Sequence, residues 1–186
     1  YTIIGGLSFY QRKEIKDLLA FLRMLVSDHD LISFLRTINL PKRGLGPAFL
    51  EKLTQASQGE PIFSFCRRVL SDSSLLTLTA RQRTGLQNYV DCIQTLREER
   101  PLVKISHLLE KVIEKSNYLL HLQEDPESQQ DRKENINELI GKAAEWEEEH
   151  ERGSLVQFLE ELSLRGAADE ESMLPCVKLM TLHNSK

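Results

Sequence analysis

Residues 13–26, KEIKDLLAFLRMLV, decide the class of this chain. Ile15, Leu18, Leu19, Leu22 and Val26 recur at i, i+3, i+4, i+7 and i+11, which is one face of an α-helix. The same period continues outward. Ser27 or Asp28 is placed to cap a second helix carrying Leu31, Phe34, Leu35 and Ile38. Asn39-Leu40-Pro41 ends it, because the residue before a proline avoids the α region. Pro47 fits the first turn of a helix with Phe49, Leu50 and Leu53 inward, and Pro61 starts another with Ile62, Phe65, Cys66 and Val69. Thr79 is placed to cap a longer helix striped by Leu86, Tyr89, Val90, Ile93 and Leu96. Pro101 opens one with Leu102, Ile105, Leu108, Leu109, Val112 and Ile113, closed by Asn117 in the left-handed region. Asp125-Pro126 begins a helix burying Ile136, Leu139, Ile140, Ala143 and Trp146. After Gly153-Ser154, Leu155, Phe158, Leu159 and Leu162 complete the last.

Only the two ends depart from this pattern. Residues 1–4 (YTII) and 177–182 (VKLMTL) are β-prone. The expected fold class is therefore all-α, a bundle-like body of about eight helices over residues 10–172, flanked by two lone strands. Two such strands make no useful sheet alone, so they are expected to belong to the sheet of another domain, into which the body is inserted. The chain starts at Tyr1 and stops at Lys186 after a strand-like run, which points to a longer parent.

Composition agrees. Of 186 residues, 40% are hydrophobic and 28% charged, enough for a folded core, while only 6% are aromatic, which suits helices better than sheets. No apolar run approaches the ~18 residues of a membrane span, so no membrane is expected. Cys66, Cys92 and Cys176 are scattered and lack a CxxC pair, against a disulfide framework or zinc cage and for a reducing compartment. The net charge of −4 excludes a globally basic nucleic-acid binder but not a local basic patch.

No catalytic constellation converges. There is no GxxxxGK[ST] phosphate loop. His29, His107, His121, His150 and His183 lack metal-binding spacing, and Asp125, Asp131 and Glu134 are accounted for as caps and solvated faces. Glu147–Glu149 is expected to be a solvated face. Phe9–Asp17 (FYQRKEIKD) is expected to be a solvated first turn, with Glu14 near the helix N-terminus. The stretch with chemical character is Lys42-Arg43-Gly44-Leu45-Gly46. A GxG turn leading into a helix presents backbone N–H groups and a positive dipole to an anion, and Lys42 and Arg43 add charge. Such a device holds a nucleic-acid backbone without reading bases. The plain alternative is an ordinary helix–helix turn that happens to carry Lys and Arg.

Five segments in order carry a resemblance. Gly5-Gly6-Leu7-Ser8-Phe9 through Arg12 and Glu14-Ile15-Lys16-Asp17, with Leu22-Arg23, resembles the GG-x-x-F-x-x-R-x-EIKD…LR segment of the UvrD/Rep/PcrA DNA helicases of superfamily 1. Asn39–Gly46 resembles their N-x-P-x-RGIG segment, with Leu45 for Ile. Glu134-Asn135-Ile136 with Glu138-Leu139, Phe158-Leu159-Glu160 to Leu164, and Val177–Lys186, the start of helicase motif V, complete the set.

The resemblance implies that residues 10–172 are the helical 2B subdomain inserted in the RecA-like domain 2A. Residues 1–9 and 173–186 would be pieces of 2A, with hinges at Leu7–Arg12 and Ser172–Cys176. It implies an ATP-dependent 3′–5′ DNA helicase parent in repair or replication restart. ATP and Mg2+ would be bound outside this stretch, so that the fragment has no catalytic residues, cofactor or metal of its own. Arg43, Gly44, Leu45 and Gly46, with Lys42, would contact duplex backbone. Ala48 or Phe49 stands where relatives often carry a hydroxyl. Thr181 and His183 would contact single-stranded DNA once 2A is complete. Implied partners are a single-strand/duplex junction, the domains 1A, 1B and 2A, and repair proteins, in the nucleoid of a bacterial cytoplasm. The alternative is a protein-interaction or autoinhibitory module, suggested by the acidic Glu145–Glu151 stretch.

Overall fold

The structure, a computed structural model, describes residues 2–4, 9–123, 126–168 and 178–180. Among these are nine α-helices: α1 (Lys13–Met24), α2 (Leu31–Thr37), α3 (Pro47–Ser57), α4 (Ile62–Ser71), α5 (Ala80–Glu99), α6 (Ile105–Ser116), α7 (Tyr118–Leu122), α8 (Gln129–Glu149) and α9 (Leu155–Ala168). The class is all-α. The helix beyond the expected eight is α7, five residues long, too short to show a period.

Helix α1 is buried almost all round, with Ile15, Leu18, Phe21, Leu22 and Met24 fully inaccessible. A helix apolar on more than one face needs neighbours on each. It has them in α2, α6, α8 and α9. One continuous core results, reaching Phe34, Phe63, Tyr89, Trp146 and Phe158.

Helix boundaries follow local chemistry in most places. Thr79 accepts from Gln82 N at 3.2 Å while Gln82 Oε1 accepts from Thr79 N at 3.0 Å, a complete capping box. Asn117 is left-handed (φ 56°) and ends α6. Ser154 Oγ accepts from Gln157 N at the start of α9. Three caps differ from expectation. Asp30, not Ser27 or Asp28, caps α2 through Ser33 N at 2.9 Å. Pro101 lies in a 3-10 turn (Arg100–Leu102), and α6 begins only at Ile105. Pro126 also opens a 3-10 turn, with α8 beginning at Gln129; Asp125 lies outside the described residues.

In two segments expected to face water, individual carboxylates are instead tied up by partners. Glu14 is 5% exposed and Asp17 is 1% exposed. Asn135 Nδ2 donates to Glu14 at 2.5 Å. Arg36 Nε donates to Asp17 Oδ1 and the Tyr118 hydroxyl to Oδ2, both at 2.7 Å. Buried carboxylates persist when partners satisfy their oxygens, and here the partners come from α2, α7 and α8. Glu147 is the second case. Its Oε1 accepts from the backbone N–H of Ile105 and Ser106, and its Oε2 from Ser106 Oγ at 2.8 Å, so it caps α6 from another helix. Only Glu148 and Glu149 of that run are exposed.

Arginines close helix C-termini, where carbonyls lack partners. Arg97 donates to Met24 O and Ser27 O, Arg100 to Leu25 O at 2.6 Å, and Arg83 to Leu70 O at 2.9 Å.

Part of the segment expected as the first hinge makes contacts with α8. Arg12 Nη1 bonds Asn135 Oδ1, and the Phe9 ring lies under both Arg12 and Lys142. Phe9 and Arg12 thus contact α8; Leu7, Ser8 and the expected second hinge, Ser172–Cys176, lie outside the described residues. The end strands, β1 (Thr2–Ile4) and β2 (Lys178–Met180), were expected to be lone. They pair with each other instead, parallel, with Ile3 opposite Leu179. A parallel pair requires a long crossover, and the helical body is that crossover.

Candidate functional site

The turn between α2 and α3 is built by Asn39. Its Oδ1 accepts from Arg43 N at 3.2 Å and Leu45 N at 3.3 Å, and its Nδ2 donates to Leu45 O. One side chain thus ties both ends of residues 39–45. Gly44 has φ +75°, which an L side chain rarely adopts. Leu45 is 1% exposed and anchors the turn in the core. Gly46 is the N-cap of α3, with Pro47 at N1. Among the described residues, nothing accepts a hydrogen bond from the N–H of Gly44, Gly46 or Ala48. These donors sit at a helix N-terminus, where the dipole favours an anion.

The two expected cations separate. Lys42 is exposed. Arg43 was expected to offer its charge beside Lys42, but its guanidinium turns inward. Nη1 donates to the carbonyls of Ile38 and Leu40 at 3.0 Å, and to those of Thr37 and Pro41 at 3.3 Å; Nη2 reaches Ser116 O at 3.5 Å. Its Cζ lies 5.5 Å from the centre of the Tyr89 ring. Burial pulls this guanidinium below its ordinary pKa, with Cys92 and Tyr89 opposing. Arg43 is thus the fastener that closes α2 and joins the turn to α5 and α6.

Helix α5 meets the turn without a side-chain layer between them. A Cβ at Gly85 would stand 2.2 Å from the Arg43 carbonyl oxygen, and one at Gly44 would stand 2.6 Å from Arg81 Nε. Beside this contact runs a groove of about 820 Å³ whose lining includes Lys42, Arg81, Thr84, Asn88 and Lys115. Arg81 and Lys115 have no place in the apolar stripes and were not foreseen. The available signal was Gly85, an interior helix glycine of the kind that marks close approach, one turn beyond Arg81.

Thr181 and His183 lie outside the described residues. Among the described residues no group of three or more His, Cys, Asp or Glu is placed to hold a metal, and no helix is long and apolar enough to cross a membrane.

The family described as the UvrD-like helicase C-terminal domain matches residues 1–186. The chain belongs to that family. It is similar to the ATP-dependent DNA helicase PcrA of Staphylococcus aureus, 36% identical over 189 residues that cover 100% of this chain and 26% of that protein. PcrA of Staphylococcus epidermidis is also 36% identical, over 190 residues with the same coverage. The chain thus spans 26% of the length of the curated relatives it matches. The resemblance to UvrD/Rep/PcrA helicases holds over the whole of this UvrD-like domain.

Proposed function

We propose that this chain is the 2B subdomain of an ATP-dependent 3′–5′ DNA helicase acting in repair or replication restart in the bacterial cytoplasm. Its role is to hold duplex DNA by the backbone near a single-strand junction and to swivel on the motor. The observation that carries this reading is the 42–46 turn. It offers the N–H groups of Gly44, Gly46 and Ala48 and the exposed Lys42 together, on a chain whose net charge is −4. Asn39, Arg43 and Leu45 act by fixing that turn. The pairing of β1 with β2 supports a body tethered at one place, as a swivelling insertion requires.

The relatives are named ATP-dependent DNA helicases; on this reading the parent binds ATP and Mg2+ with residues beyond this chain. The chain alone hydrolyses no ATP. Thr181 and His183 contact single-stranded DNA only within a complete 2A. Domains 1A, 1B and 2A are its constant partners, and repair proteins are further ones.

A second reading, a protein-interaction module, is favoured by one observation. An apolar groove lies between Val26 and the α9 residues Val156, Leu159 and Leu164, with Leu164 72% exposed.

The test is fluorescence anisotropy of a duplex with a 3′ single-stranded tail, titrated with the chain over a range of salt. Binding that weakens with salt, and weakens further with Lys42→Ala, is the expected result. Binding indifferent to Lys42 rejects the phosphate-holding turn and favours protein contact.

A further inference from the structure

Along the seam where α1 meets α9 and α2, two depressions adjoin. One, of about 540 Å³, lies among Val26, Val156, Leu159 and Leu164. The other, of about 460 Å³, reaches across Leu19 and Ala20 to Ile32. Arg23 and Ser163 line both, and Arg23 Nη2 donates to Ser163 Oγ at 3.3 Å. Leu164 in the first is 72% exposed and Ile32 in the second is 82% exposed. Large apolar side chains joined by one groove mark a contact surface, whereas single scattered ones do not.

The charges of this seam are one-sided. Lys16 and Arg23 line it from α1, and neither forms an ion pair among the described residues. They lie seven residues apart on one face of the helix, about 10 Å along its axis. Arg36 lines it too, but Asp17 already answers its charge at 2.7 Å. Among the described lining residues the only carboxylate is Glu160.

An apolar groove of this kind receives the apolar face of a helix, and its flanking charges choose which helix. A helix carrying two carboxylates seven residues apart spaces them as Lys16 and Arg23 are spaced. Such pairs at the edge of a contact supply specificity and steering. Exposed leucine and isoleucine side chains give a phosphate backbone nothing to bind, so a protein helix fits this face better than nucleic acid does.

We infer that the α1–α9 seam docks an acidic amphipathic helix of a partner protein, with its apolar residues against Val156, Leu164 and Ile32 and two of its carboxylates on Lys16 and Arg23. This rests on the protein-contact reading above and is independent of the 42–46 turn.

The experiment uses the full-length protein containing this chain to select from a displayed library of amphipathic helices. The library has a fixed leucine face and flanking positions drawn from Glu, Lys, Gln and Ser. Selected helices are expected to carry acidic pairs seven residues apart and to bind about tenfold tighter than their glutamine counterparts. Leu164→Asp and Ile32→Asp are expected to abolish that binding, and Lys16→Glu combined with Arg23→Glu to reverse the preference to lysine. Helices that need Leu164 and Ile32 but show no acidic preference overturn this inference and leave protein contact at the groove. The absence of any helix that depends on these two residues overturns both. If Leu164→Asp or Ile32→Asp instead dissociates a dimer in light scattering, a second copy covers the seam and the inference fails. It fails too if the selected helices ignore Lys16 and Arg23 while changing both to Ala lowers the salt dependence of duplex binding, which assigns these cations to nucleic acid. Circular dichroism and melting confirm folding. Leu164→Ser and Ile32→Ser, and Lys16→Gln and Arg23→Gln taken singly, each of the last two expected to lower the acidic preference about threefold, replace any variant that unfolds.

Discussion

The Tyr118 hydroxyl donates to Asp17 Oδ2 at 2.7 Å, so the short helix α7 is locked to the most buried helix in the molecule. Burial first, and the facing Asp17 carboxylate second, push the phenol above its ordinary pKa, so it remains a donor at neutral pH. Tyr118→Phe keeps the ring and removes the donor. Asp17 then retains Arg36 but has one buried oxygen unpaired. The expected loss is about 2 kcal/mol, seen as a lower urea midpoint at unchanged slope.

Arg43 and Lys42 are neighbours with opposite expected phenotypes. Arg43→Ala strips donors from the carbonyls of Ile38 and Leu40 and is expected to cost about 2–3 kcal/mol. Arg43→Lys does not restore this, because one ammonium cannot reproduce a planar fork. Lys42→Ala is expected to shift stability by less than about 0.5 kcal/mol while weakening duplex binding. Urea unfolding and DNA titration of the same variants separate the two roles.

The glycines of this region are expected to differ in tolerance. At Gly44 a new Cβ meets the Arg81 side chain, which can yield, leaving mainly the cost of a left-handed residue, about 1–2 kcal/mol. At Gly85 it meets the backbone oxygen of Arg43, which cannot yield without moving the turn off α5. Gly85→Ala is therefore expected to be the more destabilising of the two, by thermal melting, and also to weaken duplex binding. Equal melting temperatures would contradict the backbone contact.

How much of this was legible beforehand differs by the range of the interaction involved. The long helices, the Thr79 capping box and the Asn117 terminus are written within a few residues, and periodicity or local spacing reveals them. Glu147 is different. Its partners Ile105 and Ser106 lie more than forty residues away, so the run Glu147–Glu149 looks like a solvated face. Asp28 was a reasonable cap by position, but Ser64 and Arg97 from α4 and α5 occupy it. The site was half legible. Residue type and the GxG spacing located the turn, but no local rule tells an arginine that fastens carbonyls, such as Arg43, from one at the surface, such as Arg81.

Asp28 also gives a pH dependence. Burial opposes its ionisation, but the Ser64 hydroxyl and the Arg97 guanidinium outweigh this and hold its carboxyl below the ordinary 3.8. A depressed carboxylate adds stability above its unfolded pKa, and that stability is lost as pH falls through the folded value. The contribution is therefore present at neutral pH and disappears below about pH 4. Asp28→Asn is expected to cost less than about 1 kcal/mol at pH 7 and to flatten the acid limb of a stability–pH curve.

The thiols supply a further check. Burial pushes the Cys66 thiol up, and that side chain is inaccessible. Burial also raises Cys92, with Arg43 and Lys115 opposing, but Cys92 lines the open groove. Iodoacetamide is expected to label Cys92 slowly, and faster as pH rises, while Cys66 stays unlabelled until the chain unfolds. Peptide mass spectrometry distinguishes them, and comparable rates at both sites would contradict this packing.

The contact of Gly85 with the Arg43 carbonyl has a mechanical side. Most surface loops are cushioned by side chains that change rotamer under load. Here one main chain rests on another, so the turn is a stiff tooth rather than a finger. A pull on anything seated against Gly44–Gly46 passes undamped into α5, and through Tyr89, whose hydroxyl lies 2.7 Å from Thr37 Oγ1, into the core. On the duplex-holding proposal, this small turn would carry force as well as supply affinity.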